Sequence, residues 1–588
     1  MKKWTAIVLA IVLIFSFVAC QKAKDASDPN QKDTNPTPTK DSTGTSNEAA
    51  DNLDATINQK FKDVTMTMFM QGIGELVTSY DYDKNDFTKK VVDETGINLE
   101  FIAVSDADAS AKLSTLLNSN DYPDLIRQAY NTNVNDMDYY ATQGVYVPLD
   151  EYVDKYPNIA AAYAKYPSLK DFTKGSDGKI YALPEVNDCL HCVYDSGRMW
   201  YYMPFIRDNG KQVPQTTDEL LEYLKFVRDN DVNKNGQKDE VPFAFHSGQL
   251  RNFISIFAKA YLPWVYSGSY YGIGLENGKV VEQYKTEEFK QALLYMKKLY
   301  DEDLILKDSF SMKTDQLREL GESPAGPTIA VSAVSWSSDA NKKAGESRRW
   351  YETFILPNVA GPNGSRYSGQ KAPYSIFNLG MFVTNKCENP EAAVALYDYL
   401  LNFDVMLDGY IGPKGECWDD GDAGAKSLMG EDAKYKLLIT YGAQRENAGW
   451  NQLNPMIRDS NFRLGEQATN FEEVEKYLST GDPSLVESMA ANGSFNEINN
   501  YLYTKNGSMP YPMPEDIFLP ALIWKGEDNT RVADISVVLN PYLDQTFVEF
   551  ITGKRAIESE WETYLTELDN MGSAEMASIM QKTYDAMK

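Results

Sequence analysis

The sequence predicts an α/β protein whose globular part is divided into two lobes, each a mostly parallel sheet flanked by helices. Three observations point there. From Phe61 onward strand-like and helix-like runs alternate, and a strand that leads through a helix into the next strand gives parallel pairing. The chain has 588 residues, 43% apolar and 12% aromatic, far more than one hydrophobic core usually takes. No fixed-period repeat is visible, which argues against a stack of small repeated units.

The elements follow in order. Val64 to Met70 is a strand-like run, Thr88 to Thr95 a helical one, Asn98 to Val104 a second strand and Ala109 to Asn118 a second helix. Asp121-Tyr122-Pro123 then turns into a third strand through Ile126, and Tyr146 to Asp150 opens a helical stretch to Tyr156. Later helical patterns cover Thr217 to Asp229, Thr286 to Asp301, Asn389 to Phe403, Phe471 to Leu478 and Asp534 to Thr552.

The N-terminus has a different character. Lys2 and Lys3 precede an apolar run from Trp4 to Val18, too short to span a membrane comfortably, which reads as an export signal over residues 1–19. Ala19-Cys20 resembles the lipobox of bacterial lipoproteins, with Phe17 where Leu is usual, so Cys20 is expected to be lipidated and to become the mature N-terminus. Residues 20–59 are rich in Asp, Asn, Thr, Ser, Lys and Pro, a composition that cannot offset the entropy of ordering. As a coil this tether has an end-to-end distance on the order of 35 Å.

Composition removes several function classes. With 57 basic and 85 acidic side chains the formal charge is −28, so a broad phosphate-binding surface, and with it nucleic acid, is excluded. His191 and His246 are the only histidines, which leaves little for multi-histidine metal sites or a histidine-centred relay. Cys189, Cys192, Cys387 and Cys417 are an even set in an exported chain, where one or two bridges can form; Cys189-x-x-Cys192 lacks the second ligand pair of a zinc knuckle. Their connectivity stays open.

The most informative local motif is Asp231-Val-Asn233-Lys-Asn235-Gly236-Gln237-Lys-Asp239-Glu240. Oxygen-bearing side chains at the first, third, fifth and ninth positions, with Gly at the sixth, reproduce the start of an EF-hand loop directly after a helix. The twelfth position is Pro242, so a regulatory EF-hand is excluded and Glu240 is expected to supply the missing carboxylate. A structural calcium tying a helix end to the next strand is the expectation, with Asp231, Asn233, Asn235, Gln237, Asp239 and Glu240 around it.

Several stretches together resemble the family 1 extracellular solute-binding proteins of ABC importers, in particular the large lipoprotein branch with the alginate-binding proteins. They are Pro123-Asp-Leu-Ile126, Val147-Pro-Leu-Asp-Glu-Tyr152, Asp177-Gly-Lys-Ile-Tyr-Ala-Leu-Pro184, the Asp231 loop with Glu240-Val-Pro242, Leu299-Tyr-Asp-Glu-Asp-Leu-Ile305, Asn389-Pro-Glu-Ala-Ala393, Phe550-Ile-Thr-Gly553 and Gln581-Lys-Thr-Tyr-Asp585. The resemblance implies a periplasmic-binding-protein-like fold of type II, with hinge segments joining two α/β lobes that close on a carbohydrate and present it to a membrane permease. It also implies that the Asp231 loop holds calcium, with Gln237 contributing its backbone carbonyl. The expected division is 60–185 with 326–388 for the first lobe and 186–325 with 389–588 for the second.

A carbohydrate cleft needs flat aromatic platforms with polar groups at their edges, and the chain holds 9 Trp and 38 Tyr. Ile329-Ala-Val-Ser-Ala-Val-Ser-Trp336 reads as a strand ending in an aromatic, and strand ends line ligand crevices in open α/β sheets. The resemblance places a sugar-stacking tryptophan at a corresponding strand end. Trp264 beside Tyr266, Tyr270 and Tyr271, then Trp418 and Trp450, are further candidates, each balanced against ordinary packing; Trp561 is expected to pack.

Other features carry less. Gly72-Ile-Gly74 follows a strand but has Val77 at the third glycine position of a dinucleotide loop, Asp419-Asp420 is one acidic pair among many, and neither a Gly-x-Ser-x-Gly elbow nor a His-Glu-x-x-His helix occurs. The leading expectation is a non-catalytic, monomeric oligosaccharide-binding protein, lipid-anchored at the extracellular face of the cell membrane and serving an ABC permease. A secreted lyase or glycosidase and a peptide-binding surface lipoprotein are the competing readings.

Overall fold

Capping signals in the sequence end the helices where the structure ends them. Thr217–Asp229 begins at Thr216, whose hydroxyl accepts from Glu219 N at 3.1 Å while the Glu219 carboxylate accepts from Thr216 N at 3.2 Å, satisfying two otherwise orphaned donors. Asp86–Thr95 closes on Gly96 at φ 70°, a left-handed position that costs glycine nothing. The structure is a computed structural model that describes Ile57 and residues 59–588, apart from 73–80, 128–132, 189–197, 268–269, 343–346, 369–376, 440–444, 460–461, 463–464, 469–470 and 491–494. Cys20, the signal, most of the tether, Gly74, Cys189, His191 and Cys192 therefore lie outside the described residues.

The strands of the two main sheets are, in chain order, β1 Thr65–Gln71, β2 Asn98–Val104, β3 Leu125–Arg127, β4 Ala182–Asn187, β5 Met199–Tyr202, β6 Val241–Ala244, β7 Ile329–Ala333, β8 Thr353–Leu356, β9 Phe377–Val383 and β10 Ile457–Arg458. One sheet has the order β10-β4-β9-β3-β1-β2 and the other β8-β5-β7-β6. In the first, β9 alone runs against its neighbours β3 and β4, while β1, β2, β3, β4 and β10 are parallel to one another. In the second, β5 alone runs against β7 and β8.

The two reversed strands share one cause. Each is the first strand after the chain passes from one sheet to the other: β4 ends at Asn187 and β5 starts at Met199, and β8 ends at Leu356 and β9 starts at Phe377. A chain that leaves one sheet at its C-terminal edge and enters the next at the corresponding edge must run away from that edge. It therefore lies antiparallel to strands that run toward it. Both passages consequently join the C-terminal edges of the two sheets.

Each sheet has its own core. Period-two alternation in the first sheet sends Met66, Met68, Leu125, Leu183 and Val383 to one face and Phe69, Ile126, Ala182 and Phe382 to the other, both covered by helices. The second sheet buries Met199, Phe243, Val331 and Phe354 against the helices Leu250–Ala258, Glu287–Asp301 and Glu527–Ile551.

The expected lobe division needs correcting. Ile329–Ala333 does not return to the first sheet but pairs with β6 and β5, and Thr353–Leu356 follows it into the second sheet. The chain returns only at Phe377, and the helices Pro390–Leu400 and Phe403–Tyr410 then pack in the first lobe's core, with β10 on its sheet. A strand's local pattern reports that it is buried but carries no label for which of two sheets it joins.

Candidate functional site

Ligands of open α/β sheets bind outside the carboxyl ends of the strands, and here two such edges are joined to each other by the two chain passages that lead into the reversed strands β5 and β9. On the second lobe, β7 leads through Val334 and Ser335 into Trp336, β6 leads through Phe245 into His246 and the turn Ser247–Gln249, and Arg198 stands just before β5. Trp336 is 40% exposed, one of few large apolar side chains so placed, whereas Arg198 is buried. The Arg198 guanidinium lies 5.5 Å from the Trp336 ring centroid and donates from Nη1 to the Ser335 carbonyl at 3.2 Å.

Ser335, the residue before Trp336, belongs to a neutral polar group of three half-buried side chains. Asn252 Nδ2 donates to Ser335 Oγ at 3.1 Å and to Gln249 Oε1, and Ser335 Oγ donates to the same Gln249 oxygen at 3.0 Å. This leaves Gln249 Nε2 as a donor and Asn252 Oδ1 as an acceptor for a hydroxyl-bearing ligand. His246 is buried, with Nε2 3.8 Å from Asp339 Oδ2 and Nδ1 3.5 Å from Thr314 Oγ1. One residue from Asn252, Arg251 grips Asp544 of the helix Glu527–Ile551 through Nε at 2.9 Å and Nη2 at 2.7 Å, with its guanidinium 4.7 Å from the Tyr271 ring centroid. Tyr270 pairs with Ser267 in the adjoining hairpin.

On the first lobe the corresponding edge carries Gln71, Arg127, Asn187 and Arg458 at the ends of β1, β3, β4 and β10. Arg127 donates to the carbonyls of Leu453 and Gly380 and pairs with Glu185 at 2.7 Å. Burial pushes the Glu185 carboxyl up, against the opposing pull of Arg127 and Arg458. Asn187 Oδ1 is a buried acceptor with no hydrogen bond among the described residues.

Three of the expected platforms are core residues. Trp264 is 0% exposed, stacked 4.6 Å from Phe289 and edge-on to Tyr271. Trp418 is buried and donates Nε1 to Asp408 at 2.9 Å; Trp450 is buried, donates Nε1 to Thr88 Oγ1 at 2.8 Å and packs edge-on to Phe87. A ring closed on both faces has no face for a sugar. Trp336 is the candidate whose ring reaches solvent. Arg198, Gln249 and Asn252 were missed; two amides at i and i+3 just past a strand could have marked Gln249 and Asn252, whereas nothing local marks Arg198.

The Asp231 loop has the turn its spacing requires. Asp231 accepts from Asn235 N at 3.1 Å and Gly236 N at 2.8 Å, with Gly236 at φ 82°. Asn233 and Asn235 both direct their amides at the Asp239 carboxylate, at 3.1 and 3.2 Å, and Glu240 Oε1 accepts from Asn233 N at 3.2 Å. Gln237 N donates to Asn235 Oδ1 at 2.7 Å. Two side-chain amides thus converge on one carboxylate, and rotating either presents oxygen instead of nitrogen, which suits a hard cation such as calcium, although among the described residues no three acidic, His or Cys side chains gather as a metal site. Asn233 Nδ2 also donates to Pro327 O at 3.0 Å, which ties the loop to the start of β7 as β6 begins at Val241.

Comparison with known proteins agrees with this architecture. The fructooligosaccharide ABC transporter substrate-binding protein FusA of Streptococcus pneumoniae serotype 4 is 24% identical over 511 residues, covering 84% of this chain and 85% of FusA. Among solved structures, the FusA EF-hand mutant in complex with fructo-nystose superposes with a TM-score of 0.68 at 20% identity, covering 89% of this chain and 99% of that one. The alginate-binding protein AlgQ2 without calcium ion gives 0.62 at 18% identity, with 89% and 98% coverage. A family profile described as bacterial extracellular solute-binding protein matches residues 84–413, and with its two sheets joined edge to edge the chain belongs to that family.

Proposed function

We propose that this chain captures an oligosaccharide between its lobes and delivers it to an ABC transporter permease, held at the extracellular face of the membrane by a lipid on Cys20. The observation that carries the reading is Trp336, a partly exposed ring three residues past the C-terminal end of β7, preceded by Ser335 of the Gln249 and Asn252 group. A flat apolar face with a donor and an acceptor at its rim complements a sugar ring, whose C–H face is bordered by hydroxyls. Tyr270, in the adjoining hairpin, is proposed as a second contact. The FusA and AlgQ2 likenesses support a carbohydrate over other ligands.

Calcium in the Asp231 loop is proposed as structural. Asp231, Asn233, Asn235, Asp239 and Glu240 would hold it through side chains and Gln237 through its carbonyl. The ion would supply fixed positive charge to a loop otherwise crowded with carboxylates.

The reading makes no use of catalysis. Its test is tryptophan fluorescence and thermal unfolding of the mature protein across fructo-, gluco- and uronate oligosaccharides, with each mixture assayed for cleavage. A shift with one sugar class and intact sugar supports it. Cleavage, or no response to any sugar, overturns it.

A further inference from the structure

The run Leu519 to Trp524 is neither helix nor strand and divides its side chains between the lobes. Leu519, Leu522 and Trp524 are buried in the second lobe's core, whereas Ala521 and Ile523 pack against the first lobe's cluster of Phe69, Ile126, Val134 and Phe382. The run belongs to the second lobe by chain connection, since it leads into the helix Glu527–Ile551. On the first lobe it meets the start of the helix Val134–Thr142, which follows β3 and so lies on the C-terminal side of that sheet. There Asn135 reads its backbone as a neighbouring strand would: Asn135 Nδ2 donates to the Leu522 carbonyl at 3.2 Å, and Trp524 N donates to Asn135 Oδ1 at 2.7 Å.

We propose that Asn135 and this strap form a latch between the lobes, and that Asn135 is a positioning residue for ligand retention. The inference rests on the reading that the lobes close on a ligand. Opening the lobes at this point must withdraw Ala521 and Ile523 from the first lobe and break both hydrogen bonds between Asn135 and the strap. That cost falls on every opening, so the latch slows release and, by holding the empty lobes together, slows capture as well.

The test uses the mature protein and three variants. Asn135→Leu removes both hydrogen bonds at similar volume, Ile523→Ala removes the first-lobe contact without touching Asn135, and Leu519→Ala weakens only packing within the second lobe. Three readouts are taken: amide exchange across residues 519–524, the radius of gyration without ligand, and release of fructo-nystose. Asn135→Leu and Ile523→Ala are expected to speed exchange, enlarge the unliganded particle and raise the release rate about tenfold, about 1.4 kcal/mol, with association no slower than in the parent. Leu519→Ala is expected to lower the melting temperature without enlarging the particle.

If Asn135→Leu changes none of the three, or lowers only the melting temperature, the latch is overturned. If fructo-nystose binds neither parent nor variants, exchange and particle size still decide the latch. That result then counts against the choice of sugar, not against the strap.

Discussion

The Arg198 guanidinium stands 5.5 Å from the Trp336 ring centroid and is itself anchored to the Ser335 carbonyl. The arginine precedes the one reversed strand of its sheet and the tryptophan follows a forward strand, so the two meet at the same edge. A buried cation against the ring fixes the plane of an otherwise exposed side chain, which lowers the entropy a ligand must remove.

Replacement of Trp336 by Ala is therefore expected to lower oligosaccharide affinity by roughly 30-fold, on the order of 2 kcal/mol, while the melting temperature stays within about 2 °C of the parent. Titration calorimetry with a bound sugar, alongside calorimetric unfolding, checks both halves. Undiminished affinity would remove Trp336 from the site.

The buried tryptophans should behave in the opposite way. Trp264→Ala, Trp418→Ala and Trp450→Ala each empty a filled core site, at a cost of about 3–5 kcal/mol. Gly272→Ala reports on the first of these without cutting the ring: at φ 65° a Cβ would lie 2.5 Å from the Trp264 ring, so strain and overlap add. Denaturant unfolding is expected to show a loss of about 1–3 kcal/mol for Gly272→Ala, and a neutral result would contradict the packing of this hairpin.

These contrasts show what could be read before any coordinates. The alternation of strands and helices, the strand ending at Trp336 and the turn geometry of the Asp231 loop all depend on neighbours close in sequence, and they were legible. The sheet to which Ile329–Ala333 belongs depends on Val241–Ala244, nearly ninety positions away, and was not. For the same reason Trp264, Trp418 and Trp450 stood behind Trp336 as further candidate platforms: whether a ring is covered is decided by Phe289, Asp408 and Thr88, each distant or unmarked in the local pattern. Arg198 was hidden because its meaning comes only from the reversal of β5.

The loop at Asp231 lies at the starts of β6 and β7, and Trp336 lies past their ends, so metal and ligand effects should separate. Chelation is expected to lower the melting temperature, by the equivalent of about 2.7 kcal/mol if calcium had stood at 100 times its dissociation constant, with sugar affinity changed less than threefold. In Asp239→Ala, which removes the carboxylate that Asn233 and Asn235 both face, the chelator should have no further effect. Equal melting of the parent with and without chelator would dismiss the metal.

Cys387 and Cys417 are free and buried, and burial pushes both thiols up to about 11. Because the thiolate is the reactive form, both should resist maleimide at pH 8 in the folded protein and react on unfolding, as peptide mapping by mass spectrometry would show. The same shift sets a pH dependence. An unfolded thiol loses its proton near 9 and the folded one near 11, so the unfolded chain binds fewer protons in between. Stability from these two groups is complete below about 9 and declines as the pH rises toward 11. Substituting Ser at both positions should flatten that alkaline decline, and rapid labelling of either thiol at pH 8 in the folded state would refute its burial.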